Sequence, residues 1–152
     1  MVTKIRRIIV DIIERKVKHI EFIQSNIARM NQCSFQMKGW MITVVTALLA
    51  LFAASINEET GIGNTAFIFV AIVPTMIFWI LDAYYLQQER KFRGIYNDIV
   101  DDLNKNKIKE FAMPLGEYDG CKYCLFHIMF SKAEWPLYLL SIIALLVAGI
   151  LL

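Results

Sequence analysis

The chain has 152 residues, room for one domain, and a hydrophobic fraction of 57% with a formal charge of only +2. That fraction exceeds the roughly 45–50% usual in soluble domains, and it is concentrated in three blocks, at 39–56, 65–81 and 135–152. An ordinary soluble domain is therefore not expected. Enzyme signatures are missing too: there is no phosphate-binding G-x-x-x-x-G-K-[ST], no G-x-G-x-x-G, no H-E-x-x-H and no G-x-S-x-G. A catalytic role is not expected, and no cofactor is called for.

The first stretch, residues 1–38, reads as a cytoplasmic amphipathic helix. Ile5, Ile9, Ile12, Ile13, Val17, Ile20, Ile23, Ile27 and Met30 recur every three or four positions, with Arg6, Arg7, Glu14, Arg15, Lys18, Glu21 and Arg29 on other faces. As a helix it would reach roughly 55 Å. Its basic excess suits anionic lipid or the phosphates of a nucleic acid or nucleotide signal; packing against a second apolar stripe at 85–103, in a helical stalk, is the alternative.

Residues 39–56 (GWMITVVTALLALFAASI) form the first expected span, preceded by so long a charged helix that a cleavable signal is not expected. Small residues recur at spacings of four, Thr43 with Ala47 and Thr46 with Ala50 and Ala54. In lipid such rows let backbones approach closely. Thr43, Thr46 and Ala50 are candidates for a subunit interface or a narrow pore, with simple packing as the alternative. The loop at 57–64 has no basic residue.

Span two, 65–86, begins with seventeen residues free of formal charge, Thr65 to Leu81, close to the length that crosses a hydrocarbon core of about 30 Å. Pro74 predicts a kink, either a static bend or a gate. Apolar residues continue at Leu81, Tyr85, Phe92, Ile95, Ile99 and Leu103, so one helix is expected to run on to Asn106. Asp82 lies at the boundary between the apolar and charged halves. Either it pairs with Lys38, at similar depth on span one, or it contributes to a charged ring at a pore mouth.

The segment 87–134 is expected to be a cytoplasmic helix and return. Met113-Pro114-Leu115-Gly116 breaks the helix, Glu117-Tyr118-Asp119-Gly120 is turn chemistry, and Leu125–Phe130 is apolar but too short to cross. Cys121, Cys124 and His127 form C-x2-C-x2-H. Zinc would need a fourth ligand from Cys33, His19 or a carboxylate; a redox pair or inert cysteines are the other readings, and no structural disulfide is expected in the cytoplasm. Span three is 135–152, with Pro136 in its first turn.

Orientation follows from the sixteen Lys and Arg residues. Eight fall in 1–38, eight in 87–134 and none in 57–64. Basic loops stay in the cytoplasm, so the expected arrangement is three crossings of a bacterial inner membrane, N-terminus inside and C-terminus outside. The fold class is an all-α integral membrane protein with three transmembrane helices and a cytoplasmic helical stalk. Three helices enclose no lumen, so a conducting path needs several copies around an axis, and a homo-oligomer is expected.

The strings WILDAYYLQQERKFRGIY at 79–96, EFAMP at 110–114 and SKAEWP at 131–136 resemble small multi-pass membrane effectors of bacterial anti-phage systems, the Hailong type in particular. These strings make up 29 of the 152 residues. The resemblance implies an oligomeric ion channel controlled by an oligonucleotide signal from a nucleotidyltransferase partner, with Arg90, Lys91 and Arg93 as candidate contacts for that signal. A non-conducting membrane anchor that recruits a soluble partner is the alternative function.

Overall fold

A computed structural model describes residues 2–57, 63–101 and 111–151, and among them the regular structure is entirely helical. Helix α1 spans Val2–Ala54. Its 53 residues extend about 80 Å at 1.5 Å per residue. The amphipathic segment and span one are thus one helix. The reason is local: Gly39 is the only weak point, costing about 1 kcal/mol against alanine, and no proline interrupts the stretch. At its end the Ser55 hydroxyl donates to the Phe52 carbonyl (2.7 Å) and accepts from the Asn64 amide (2.8 Å), drawing the next helix close.

Helix α2, Ala66–Asp101, starts where Asn64 Oδ1 accepts the Ala66 amide at 3.1 Å, a side-chain cap. It continues through Pro74, where the missing N–H leaves the Val70 carbonyl without its usual donor; one residue on, buried Thr75 donates to the Ala71 carbonyl at 2.8 Å. The expected extension from 102 to 106 lies outside the described residues.

α1 and α2 run antiparallel, with three clusters stacked along their seam. At one end Phe52 meets Ile68, Ala71 and Leu145; in the middle Met41, Trp79 and Ala83 meet Ile128, Met129 and Tyr138; at the other end Ile23 meets Phe92 and Ile95. In this register Asp101 reaches only the level of Val17–His19. Among the described residues, Ile5, Ile8, Ile9, Ile12, Ile13 and Val17 of the amphipathic segment are exposed.

The chain returns along the α1–α2 seam. The His19 ring lies 5.5 Å from Phe111 and 3.3 Å from the Ala112 carbonyl. Two 3-10 turns, Leu115–Glu117 and Cys121–Tyr123, lead to the short helix α3, Leu125–Met129, whose Ile128 and Met129 are buried in the middle cluster. Helix α4, Trp135–Leu151, with Pro136 in its first turn, then packs along α2. By length and composition α1 and α2 can each cross a membrane, and Trp135–Ile150 is a shorter apolar helix.

Candidate functional site: a buried charge cluster where three helices meet

Each apolar stretch has one charged residue at the same end: Lys38 before 39–56, Asp82 after 65–81, Glu134 before 135–152. The fold brings the three together. Lys38 Nζ donates to Asp82 Oδ2 at 2.5 Å, to Glu134 Oε1 at 2.9 Å and to Ser34 Oγ at 3.3 Å, using all three of an ammonium's protons. The expected Lys38–Asp82 ion pair is present. Glu134, Ser34 and Tyr138 are partners that the sequence reading did not single out.

Asp82 is fully buried, yet well served. It accepts from Ser34 Oγ (2.5 Å), Lys38 Nζ (2.5 Å) and Tyr138 Oη (2.8 Å). Ser34 and Lys38 come from one turn of α1 and Tyr138 from the first turn of α4, so this single carboxylate links three helices. Below it, Tyr138 stacks on Trp79 with ring centroids 5.9 Å apart, and Trp79 Nε1 donates to the Met129 carbonyl at 3.2 Å. That bond ties α3 under the cluster.

Glu134 is the poorly served member. Only 1% of it is exposed, and Oε2 has no hydrogen-bond partner. Burial, with Asp82 beside it, pushes its carboxyl up to about 7 against the opposing pull of Lys38. Lys38 itself is shifted up: burial acts to lower it, but its bonds to Asp82 and Glu134 prevail. With both acids ionised the cluster carries one excess negative charge, which is costly in an apolar setting.

The other predicted residues lie elsewhere. Thr43, Thr46 and Ala50 share an exposed face of α1, directed away from the α2 seam, and the Thr43 hydroxyl bonds back to the Gly39 carbonyl at 2.9 Å. Pro74 is half-buried within α2. Of the basic trio, Lys91 donates to Asp119 at 2.8 Å and Arg93 pairs with buried Glu89 one turn earlier, while Arg90 is half-buried. Arg93 also edges a shallow groove with Gln24, Ile27, Tyr96 and Asn97. Cys121, Cys124 and His127 are each exposed, and the described residues hold no group of three or more His, Cys, Asp or Glu placed to bind a metal ion.

Comparison with protein-family models, with curated proteins and with solved structures finds no significant match.

Proposed function

We propose that the chain is a homo-oligomeric protein of the bacterial inner membrane that crosses the bilayer three times and forms a pore gated from the cytoplasmic side. One observation carries this reading: only 11% of the apolar window of α1 is buried within the chain, against 33% for α2, and its bare face holds Thr43, Thr46 and Ala50. So much apolar surface is tolerated where lipid or another copy covers it. A face with two hydroxyls and small side chains suits the axis of a ring of copies. The charge cluster then sits at the cytoplasmic boundary, the depth at which ionisable groups are tolerated when paired. The N-terminus and the return segment lie inside, and the C-terminus outside.

Gating in this reading is a population shift, in which a ligand or partner on the stalk favours one packing of α1 against the Pro74-containing α2. No catalytic step is assigned. The resemblance to anti-phage effectors offers the setting, with ions as the conducted species and an oligonucleotide signal or nucleotidyltransferase partner as regulator; the groove edged by Arg93 is the candidate surface for it. A membrane anchor that recruits a soluble partner is the second reading, favoured by the bare isoleucines of α1.

Membrane potential in bacteria expressing the chain separates the two. Depolarisation by the wild type that is abolished by Thr46→Leu or Ala50→Leu is expected of a pore. Depolarisation unchanged by both variants would remove these residues from the conducting path, and a steady potential under every condition would favour the anchor.

A further inference from the structure

Among the described residues, the buried side-chain polar atoms left without a partner are Glu134 Oε2 and Ser131 Oγ. They belong to a single turn, closed by the Glu134 amide donating to the Ser131 carbonyl at 2.9 Å. A native fold rarely leaves such atoms idle, since each costs about 1–3 kcal/mol. Here the idle carboxylate oxygen belongs to a cluster of two acids and one ammonium. The charged and titratable groups facing Glu134 are Lys38 from α1, Asp82 from α2 and Tyr138 from α4, and only one of them is a cation.

We propose that this cluster is a proton-binding site and that Glu134 Oε2 is the atom that takes the proton. Both oxygens of Asp82 already accept hydrogen bonds, from Ser34, Lys38 and Tyr138, so neither is open to a further proton. Glu134 accepts from Lys38 through Oε1, and its Oε2 has no partner. The proton comes from hydronium in the solvent: one of its O–H bonds breaks to leave water as the O–H bond on Oε2 forms, with no change of oxidation state. Loading takes the cluster from one net negative charge to none and leaves Lys38 with Asp82 as its only ion pair. The contact between Glu134 and α1 then weakens from charge–charge to charge–dipole. Because Glu134 immediately precedes α4, the site links proton occupancy to how α4 is held against α1.

The site rests on side-chain geometry within one chain and does not depend on conduction, so its test avoids conductance. The full-length chain in lipid nanodiscs is titrated by infrared difference spectroscopy, following the C=O stretch of protonated carboxyl groups. The wild type is expected to lose one carboxyl signal with a midpoint near pH 7, and Glu134→Gln to lack that transition. In Asp82→Asn, which removes the neighbouring negative charge and keeps Lys38, the midpoint is expected to fall toward the ordinary carboxylate range. Should Glu134→Gln not fold, judged by its helical circular dichroism, Asp82→Asn decides alone. A transition that survives in Glu134→Gln overturns the proposal, as does a midpoint unmoved in Asp82→Asn. A midpoint that falls as sodium replaces a bulky organic cation at constant ionic strength would assign the site to a metal cation, and that too overturns it.

Discussion

Lys38 illustrates how unequal the members of a buried charge cluster are. Replacing it with Met leaves Asp82 and Glu134 together with no cation between them. Breaking a buried pair in this way costs about 3–5 kcal/mol, and chemical unfolding in lipid nanodiscs is expected to show a loss of that order. Replacing Glu134 with Gln removes the excess negative charge, so a far smaller effect is expected. The pH dependence has a definite sign. The Glu134 carboxyl is raised from 4.5 to about 7 in the fold, so the folded chain holds this proton more tightly than the unfolded chain. Its contribution to stability is fully present below about pH 4.5 and is lost as pH rises through about 7. Unfolding measured across this window is expected to show declining stability in the wild type and a flatter profile in Glu134→Gln.

The return segment is held to α2 by side chains packed over a glycine. A Cβ at Gly94 would lie 2.7 Å from Tyr118 Cδ1 and 2.7 Å from Tyr123 Oη, inside the contact distance of any methyl group. Those two rings meet edge to face, and the Tyr118 hydroxyl donates to Asp98 at 2.6 Å. Burial, then the bond to Asp98, raises the Tyr118 phenol well above its ordinary value, so it stays a donor throughout the accessible range. Gly94→Ala improves helix propensity but forces the rings away, and the net expectation is a loss of about 1–3 kcal/mol from overpacking. Limited proteolysis is the more local readout: cleavage between 111 and 134 is expected to accelerate in Gly94→Ala while the apolar helices remain resistant. Gln87, which donates to the Tyr123 carbonyl at 2.6 Å, gives the segment a second attachment that limits the opening.

For the molecule as a whole, the helices place the Lys38–Asp82–Glu134 cluster between an apolar end and a polar end, and the proposed orientation puts the polar end in the cytoplasm. Cys121 and Cys124 are exposed free thiols on the polar side. A membrane-impermeant maleimide is expected to leave them unlabelled in intact cells and to label them in inverted vesicles, while a C-terminal tag is accessible from outside. Labelling of the thiols in intact cells would reverse the orientation. Ile5, Ile8, Ile9, Ile12, Ile13 and Val17 of α1 are exposed among the described residues. In the proposed orientation residues 4–17 stand about 30–50 Å from the cluster at Lys38, by helical rise. At that distance their isoleucines meet protein more readily than lipid.

Much of this was legible in the residues alone. Period marked both the amphipathic segment and span one as helical, without showing that they join in α1, and a missing proline or paired glycine foretold that α2 would pass through Asp82 without a break. The Lys38–Asp82 pair was readable because charge at the end of an apolar run reports depth along a helix axis. Glu134 carries the same signal at the start of the third apolar run, and Lys38, Asp82 and Glu134 could have been grouped on that ground. Depth, however, says nothing of the angle about the axis. That Ser34, Lys38, Asp82, Glu134 and Tyr138 share one direction, while Thr43, Thr46 and Ala50 look the opposite way, depends on how α1, α2 and α4 rotate to bury Met41, Trp79 and Ala83. Likewise, C-x2-C-x2-H states only a spacing, and the 3-10 turn and short helix that contain it turn all three side chains outward. Sequence specified the helices and the depth of each charge through local periodicity; tertiary packing decided which charges meet, because only packing sets rotation, register and the burial that gives Glu134 its unusual carboxyl.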